Sequence, residues 1–157
     1  MLKIREASRT DVDAVVDLIT AMLREMASYS RRGLSEEDQV RSQLQGRFLD
    51  SCKKQHHAYL IAAVGDEDDL AGIVEGSLVS LDEIFCSKLV LHVHSLYVRP
   101  CYRRHGIGRR LLEEALEWGR DRGCVEAELS VLHRNPAHEL YESMGFAVAE
   151  LEMRLDL

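Results

Sequence analysis

The chain has 157 residues, 46% hydrophobic and 30% charged, and its 20 basic and 27 acidic side chains leave a formal net charge of −7. That balance excludes a disordered or collagen-like chain and describes one globular domain, residues 1–157, able to bury about 70% of its unfolded surface without disulfide staples. The acidic excess argues against nucleic acid and anionic membranes as partners and suits a cationic substrate.

In chain order, Leu2 and Ile4 alternate with polar neighbours as a short first strand would. Thr10 offers an N-cap for a helix with Asp11 and Asp13 in its first turn and Val12, Val15, Ile19, Met22 and Met26 at helical spacing. Residues 28–34 read as a loop, and Ser35-Glu-Glu-Asp starts a second helix with Val40, Leu44 and Phe48 on one stripe. Ala58–Val64 is a buried strand, and residues 65–69 are a turn. Leu70–Leu81 and Lys88–Val98 are further strands. A helix over Gly108–Arg122 follows, with Leu111, Leu112, Ala115, Leu116 and Trp118 near one face and Gly123 as its stop. Val125–Leu132 is a strand, Asn135-Pro136 caps a short helix to Ser143, Gly145-Phe146 ends it, and Leu151–Leu157 alternates as a last strand. The order β-α-α-β-β-β-α-β-α-β belongs to the α/β class, a mixed (α+β) sheet layered with helices on both faces.

The longest apolar run, Ala58–Val64, is far shorter than the roughly 20 residues that cross a bilayer. Met1–Glu6 has no apolar signal-peptide core, and Cys52, Cys86, Cys101 and Cys124 form no CxxC pair. Free thiols and a cytoplasmic location are expected.

The chemistry concentrates in Leu96–Arg110. Between Ile84 and Leu112 there is no acidic residue, whereas Lys88, Arg99, Arg103, Arg104, Arg109 and Arg110 all fall there. A strand runs into a basic turn with Gly106 and Gly108, and a helix follows, so backbone N–H groups and the positive end of the helix dipole converge on one spot. This is an anion site suited to a pyrophosphate. A nucleotide-hydrolysing P-loop would need Gly-Lys-Ser/Thr, which is absent. A dinucleotide fingerprint would need a small residue where Leu111 stands.

Val98-x-Pro100-x-x-Arg103-x-x-Gly106-x-Gly108, followed by Leu129-x-Val131 and Asn135-x-x-His138-x-x-Tyr141-Glu-Ser-Met-Gly145-Phe146, resembles the signatures of the GNAT superfamily of N-acetyltransferases, in the family's order. The resemblance implies the GNAT acyltransferase fold, acetyl-CoA as acyl donor and direct attack by an amine in a ternary complex. It places Leu96, Tyr97 and Val98 against the pantetheine arm, with the Val98 N–H polarising the thioester carbonyl. Amides of Arg104, His105, Gly106, Ile107 and Gly108, with side chains of Arg103, Arg104 and Arg109, would hold the pyrophosphate. Asn135 would touch the pantetheine amides, and Tyr141 would protonate the departing thiolate. An unperturbed phenol, with pKa about 10, stays neutral at pH 7 and can donate a proton.

For the base, His92 and His94 stand two apart on a strand and share a face. His94, four residues before Val98, matches a position where some polyamine-acetylating relatives carry a glutamate. Glu75 on the neighbouring strand and a chain of waters are the other candidates. His92-x-His94 has no evident third ligand, so no metal is expected. His56, His57 and His133 read as strand-end or surface residues, and Cys101 as a bystander. The expected substrate is a primary amine of a small cationic molecule. A protein lysine or N-terminus, or acyl-CoA binding without turnover, are the alternatives. A homodimer is compatible with the last strand.

Overall fold

The computed structural model describes residues 1–29, 35–64, 69–80, 88–153 and 155. Five strands form one sheet in the order β1 (Leu2–Glu6), β2 (His57–Val64), β3 (Asp69–Ser80), β4 (Leu89–Val98) and β5 (Glu126–Leu129). The first four pair antiparallel, and β5 runs parallel to β4. Helices α1 (Val12–Tyr29) and α2 (Glu37–Ser51) follow β1 in the chain, α3 (Ile107–Asp121) separates β4 from β5, and α4 (His138–Ser143) follows β5.

Each strand's alternation feeds two cores. Val15, Leu18, Phe48, Ile61 and Ile73, all below 2% exposed, pack in the layer of α1 and α2. Ala62, Val74, Leu91, Leu111 and Leu112, equally buried, pack on the other face with α3. The β4–α3–β5 crossover is the unit that lets two parallel strands neighbour each other.

Several expectations change. The chain enters α1 through a short 3-10 turn, Arg9–Asp11, capped at Ser8 and not at Thr10. Asp11 accepts the Ser8 N–H at 2.7 Å and a two-pronged ion pair from Arg5 at 2.8 Å, so the better anchored carboxylate fixes the start. β5 spans Glu126–Leu129, shorter than Val125–Leu132. In the segment read as a last strand, residues 151–153 and 155 form no strand, and Leu151, Met153 and Leu155 are at least 83% exposed. Alternation supplies the side-chain pattern of a strand but not the partner edge that makes one. Of the loop over 28–34, Ser28 and Tyr29 belong to α1, while 30–34, like 65–68 of the turn, lie outside the described residues. Asp69, the end of that turn, opens β3.

Candidate active site

β4 pairs with β5 only from Val90 opposite Glu126 to Val93 opposite Leu129. Beyond Leu129 the two strands part, and β4 runs on to Val98 held by β3 alone. Arg99 donates its N–H to Ala71 of β3 at 2.8 Å, so by alternation the amides of Val98 and Leu96 face the gap. This is where the sequence expected backbone contacts to a pantetheine arm.

The turn after β4 is built for an anion. Arg104 and Gly106 both have positive φ, 66° and 76°. The second is cheap for glycine, and the first is a strain that arginine rarely accepts. Alternating left-handed residues turn successive N–H groups the same way, and α3 adds the unpaired amides of its first turn. Among the described residues no acceptor takes the N–H of Arg104, His105, Gly106, Ile107, Gly108 or Arg109. A Cβ on Gly108 would stand 3.5 Å from Leu140 and 3.6 Å from Val98, ordinary van der Waals contact, so a methyl group fits there. The residues thus fit a pyrophosphate group.

The side chains are less available than the amides. Arg103 gives two hydrogen bonds to Glu25 of α1, at 3.1 and 2.6 Å, and its Nε donates to the Val98 carbonyl at 2.8 Å. Its guanidinium lies 5.5 Å from the Tyr97 ring centre. Arg103 therefore ties α1 to the end of β4, and a phosphate would have to compete with Glu25 for it. Arg109 donates to Ser143 of α4 at 2.7 Å. Arg104 is exposed.

Asn135 does not cap α4 itself. Its Oδ1 accepts the Ala137 N–H at 2.9 Å in a turn that leads into the helix two residues later than expected. Tyr141 lies on α4 with its ring edge-on to Phe146, 6.0 Å between centres, packed on the α3-side core. Burial raises its pKa, so the phenol stays protonated. Gly145 (φ 93°) lets Phe146 turn back and donate its N–H to the Tyr141 carbonyl at 3.0 Å, fixing the end of that helix.

The base candidates sit on the other face. Glu75 pairs with Ser95 and Gly76 with Val93, so His94 is one extra residue bulged out of β4. Without that bulge, alternation back from Leu96, which packs on the α3 side, would put His94 under α3. With it, His94 joins Glu75: its Nε2 meets Ser77 Oγ at 2.6 Å, and its ring neighbours His92 at 4.5 Å and His57 at 5.8 Å. His92 in turn reaches Glu128 of β5 at 2.9 Å.

Glu75 is 2% exposed and takes donors on both oxygens. Tyr59 (2.9 Å) and His57 (3.1 Å) reach Oε1, Ser95 reaches Oε2 at 3.1 Å, and Arg47 of α2 stands 3.5 Å away. Burial alone would raise its pKa, but the hydrogen bonds from His57 and Tyr59 and the nearby imidazoles outweigh it, and the carboxyl stays ionised below its usual range. Desolvation pushes His94 below the ordinary imidazole range, helped by positive charge on His92, His57 and Arg47 and opposed by Glu75. Neutral imidazole therefore predominates near pH 7, whereas Glu75 has little basicity to offer.

His57 opens β2, as the strand-end reading has it, but it is not a surface residue: its side chain is only 16% exposed and belongs to this cluster. Tyr59, Arg47, Ser77 and Ser95 were missed as well. The available signal was the antiparallel alternation of β2 and β3, which puts 57, 59, 75 and 77 on one face once the register is known. Cys52 and Cys101 are exposed, Cys124 is half-buried, and all three are free thiols. Cys86 lies outside the described residues. Among the described residues no group of three or more His, Cys, Asp or Glu could hold a metal ion, and no helix is long and apolar enough to cross a membrane.

A strand gap lies beside a basic, glycine-bearing turn at a helix start, with a polar patch on the other face of the sheet. Residues 19–146 match the Acetyltransferase (GNAT) family, and the chain belongs to it. Streptothricin acetyltransferase of Streptomyces lavendulae is 35% identical over 94 residues, 59% of this chain, and the match spans less than half, 47%, of that protein. Thialysine N-epsilon-acetyltransferase of Sus scrofa is 26% identical over 148 residues, 90% of this chain and 82% of that one. In fold, the chain is similar to the aminoglycoside acetyltransferase AAC(6')-Iy solved with a CoA-containing bisubstrate analogue, at a TM-score of 0.78 and 18% identity over 100% of this chain and 98% of the other.

Proposed function

We propose that this chain is an acetyl-CoA-dependent N-acetyltransferase whose acceptor is a primary amine of a small cationic molecule, attacking directly in a ternary complex. The observation that carries the reading is the pairing of an anion-binding turn, with six amides lacking an acceptor among the described residues, and a strand gap that leads to a neutral imidazole beside an ionised carboxylate. The names of the relatives, which acetylate streptothricin and thialysine, support an amine acceptor.

The amides from Arg104 to Gly108 hold the pyrophosphate, with Arg104 as the readiest side chain, and the Val98 and Leu96 amides and Asn135 hold the pantetheine arm. Bound acetyl-CoA supplies the activated acyl group. His94, directly or through a water, takes a proton from the acceptor ammonium. The freed nitrogen lone pair forms the new carbon–nitrogen bond as the carbon–sulfur bond breaks, and Tyr141 gives its proton to the departing thiolate. The second proton that the nitrogen sheds on becoming an amide returns through water to the phenolate. The acidic surface draws in cations. A single domain over 1–157, acting in the cytoplasm, with a second copy meeting the segment that begins at Leu151, completes the reading.

The test is release of free CoA thiol when the protein and acetyl-CoA meet a panel of polyamines, aminoglycoside-like polycations, amino acids and lysine peptides. Turnover on small cations supports the reading. Turnover confined to peptides moves it to a protein acetyltransferase, and tight acetyl-CoA binding without turnover on any amine leaves a binding module.

A further inference from the structure

His57 has no part in the roles described so far, yet it is the residue that joins the buried carboxylate to the proposed base. Glu75 is ionised and can only accept, so the His57 nitrogen facing it at 3.1 Å, Nε2, carries the hydrogen. Nδ1 is then the nitrogen that carries no hydrogen in the neutral ring. The ring is clamped between Tyr59, 5.1 Å away and nearly parallel, and His94, 5.8 Å away at 17°. Its geometry is thus set from two sides, with the ring stacked against His94.

We propose that His57, anchored by Glu75, is a positioning residue that sets the acidity at which His94 accepts the acceptor's proton. The inference rests on the reading of His94 as proton acceptor. The groups that bear on His94 are His57 from β2, with Tyr59 behind it; Glu75 and Ser77 from β3; His92 from β4, with Glu128 of β5 at its far side; and Arg47 from α2. Of these, Glu75 favours a proton on His94, whereas positive His57, His92 and Arg47 oppose it. A proton that leaves the ammonium nitrogen for the His94 ring makes an imidazolium within the reach of Glu75. A positive His57 stacked on the same ring pushes that proton on to solvent, which restores the base. The pair therefore holds His94 neutral without stripping it of basicity.

The decisive measurement is the titration midpoint of His94 in the full chain, free of acetyl-CoA and amine, followed by NMR of labelled histidine and assigned with His94→Gln. His57→Gln keeps a donor for Glu75 but carries no charge, and should move the midpoint up by about half a pH unit, the size expected of one charge at this spacing even in water. Glu75→Gln should move it down. Opposite shifts from two residues hydrogen-bonded to each other are not what loss of packing produces. If Glu75→Gln fails to melt cooperatively, His57→Lys, a donor with a fixed positive charge, takes its place, and its midpoint should stay at or below the wild-type value. A midpoint that stays or falls in His57→Gln overturns the proposal whatever the rates do. The acidic limb of kcat/KM should follow the midpoint. A moved midpoint with an unmoved limb removes His94 as the base, and with it the catalytic meaning of the pair.

Discussion

The basic turn after β4 and the imidazole–carboxylate face around His92 and His94 of the same strand are built by different means. The turn is made of backbone: consecutive residues, positive φ at Arg104 and Gly106, and amides that point outward because a helix is starting. The face is made of side chains from β2, β3, β4, β5 and α2, meeting across separations of up to 37 residues. A local device survives most changes to side chains and fails when the backbone path is blocked. A long-range cluster tolerates changes in the path but responds to the charge of each member.

The predictions test that contrast, beginning with the strongest. Gly108→Glu puts a carboxylate where the pyrophosphate would lie, and like charge at such a contact costs several kcal/mol, so acetyl-CoA affinity should drop about a hundredfold or more by calorimetry. Wild-type affinity in this variant would mean that the turn is not the anion site. Tyr141→Phe keeps the ring against Phe146 and removes one hydroxyl; kcat should fall at least about tenfold while acetyl-CoA affinity stays close to wild type. Equal rates under chemistry-limited conditions would end the role of the phenol.

His94→Gln probes the other region. It should lower the rate and remove the acidic limb that belongs to imidazole, leaving acetyl-CoA binding in place. In wild type that limb lies below the ordinary imidazole value of about 6.5, because desolvation depresses His94 and protonation switches the base off only at lower pH. Identical pH–rate profiles would shift the role to Glu75 or to a water chain. The smallest effect is expected far from both regions. Asp11→Asn weakens the Ser8 cap and the Arg5 pair and should cost about 1 kcal/mol of stability at neutral pH. Arg5 holds Asp11 well below the usual carboxylate range, so this contribution is complete above the unfolded value near 4 and disappears as pH falls through the folded one. A gap that persisted undiminished into strong acid would show that the pair is not its source.

The sequence by itself determined what depends on neighbours in the chain. It specified the five strands of the sheet and the helical stripes of α1, α2 and α3, because periodicity and glycine stops act within a few residues. It also specified the acid-free turn with Gly106 and Gly108, where amide donors follow one another along the backbone. It misplaced the cap at Thr10, two residues beyond Ser8. It also read a strand at Leu151–Leu157 from alternation alone, where residues 151–153 and 155 have no partner edge. Tertiary structure alone decided which face His94 looks toward, since one extra residue in the β4 register reverses it. It likewise turned Arg103 onto Glu25, 78 positions away in the chain, and drew His57 off the surface onto Glu75. Those outcomes depend on strand register and on charges that meet only after the sheet has formed, and a one-residue shift in register exchanges buried base for buried core.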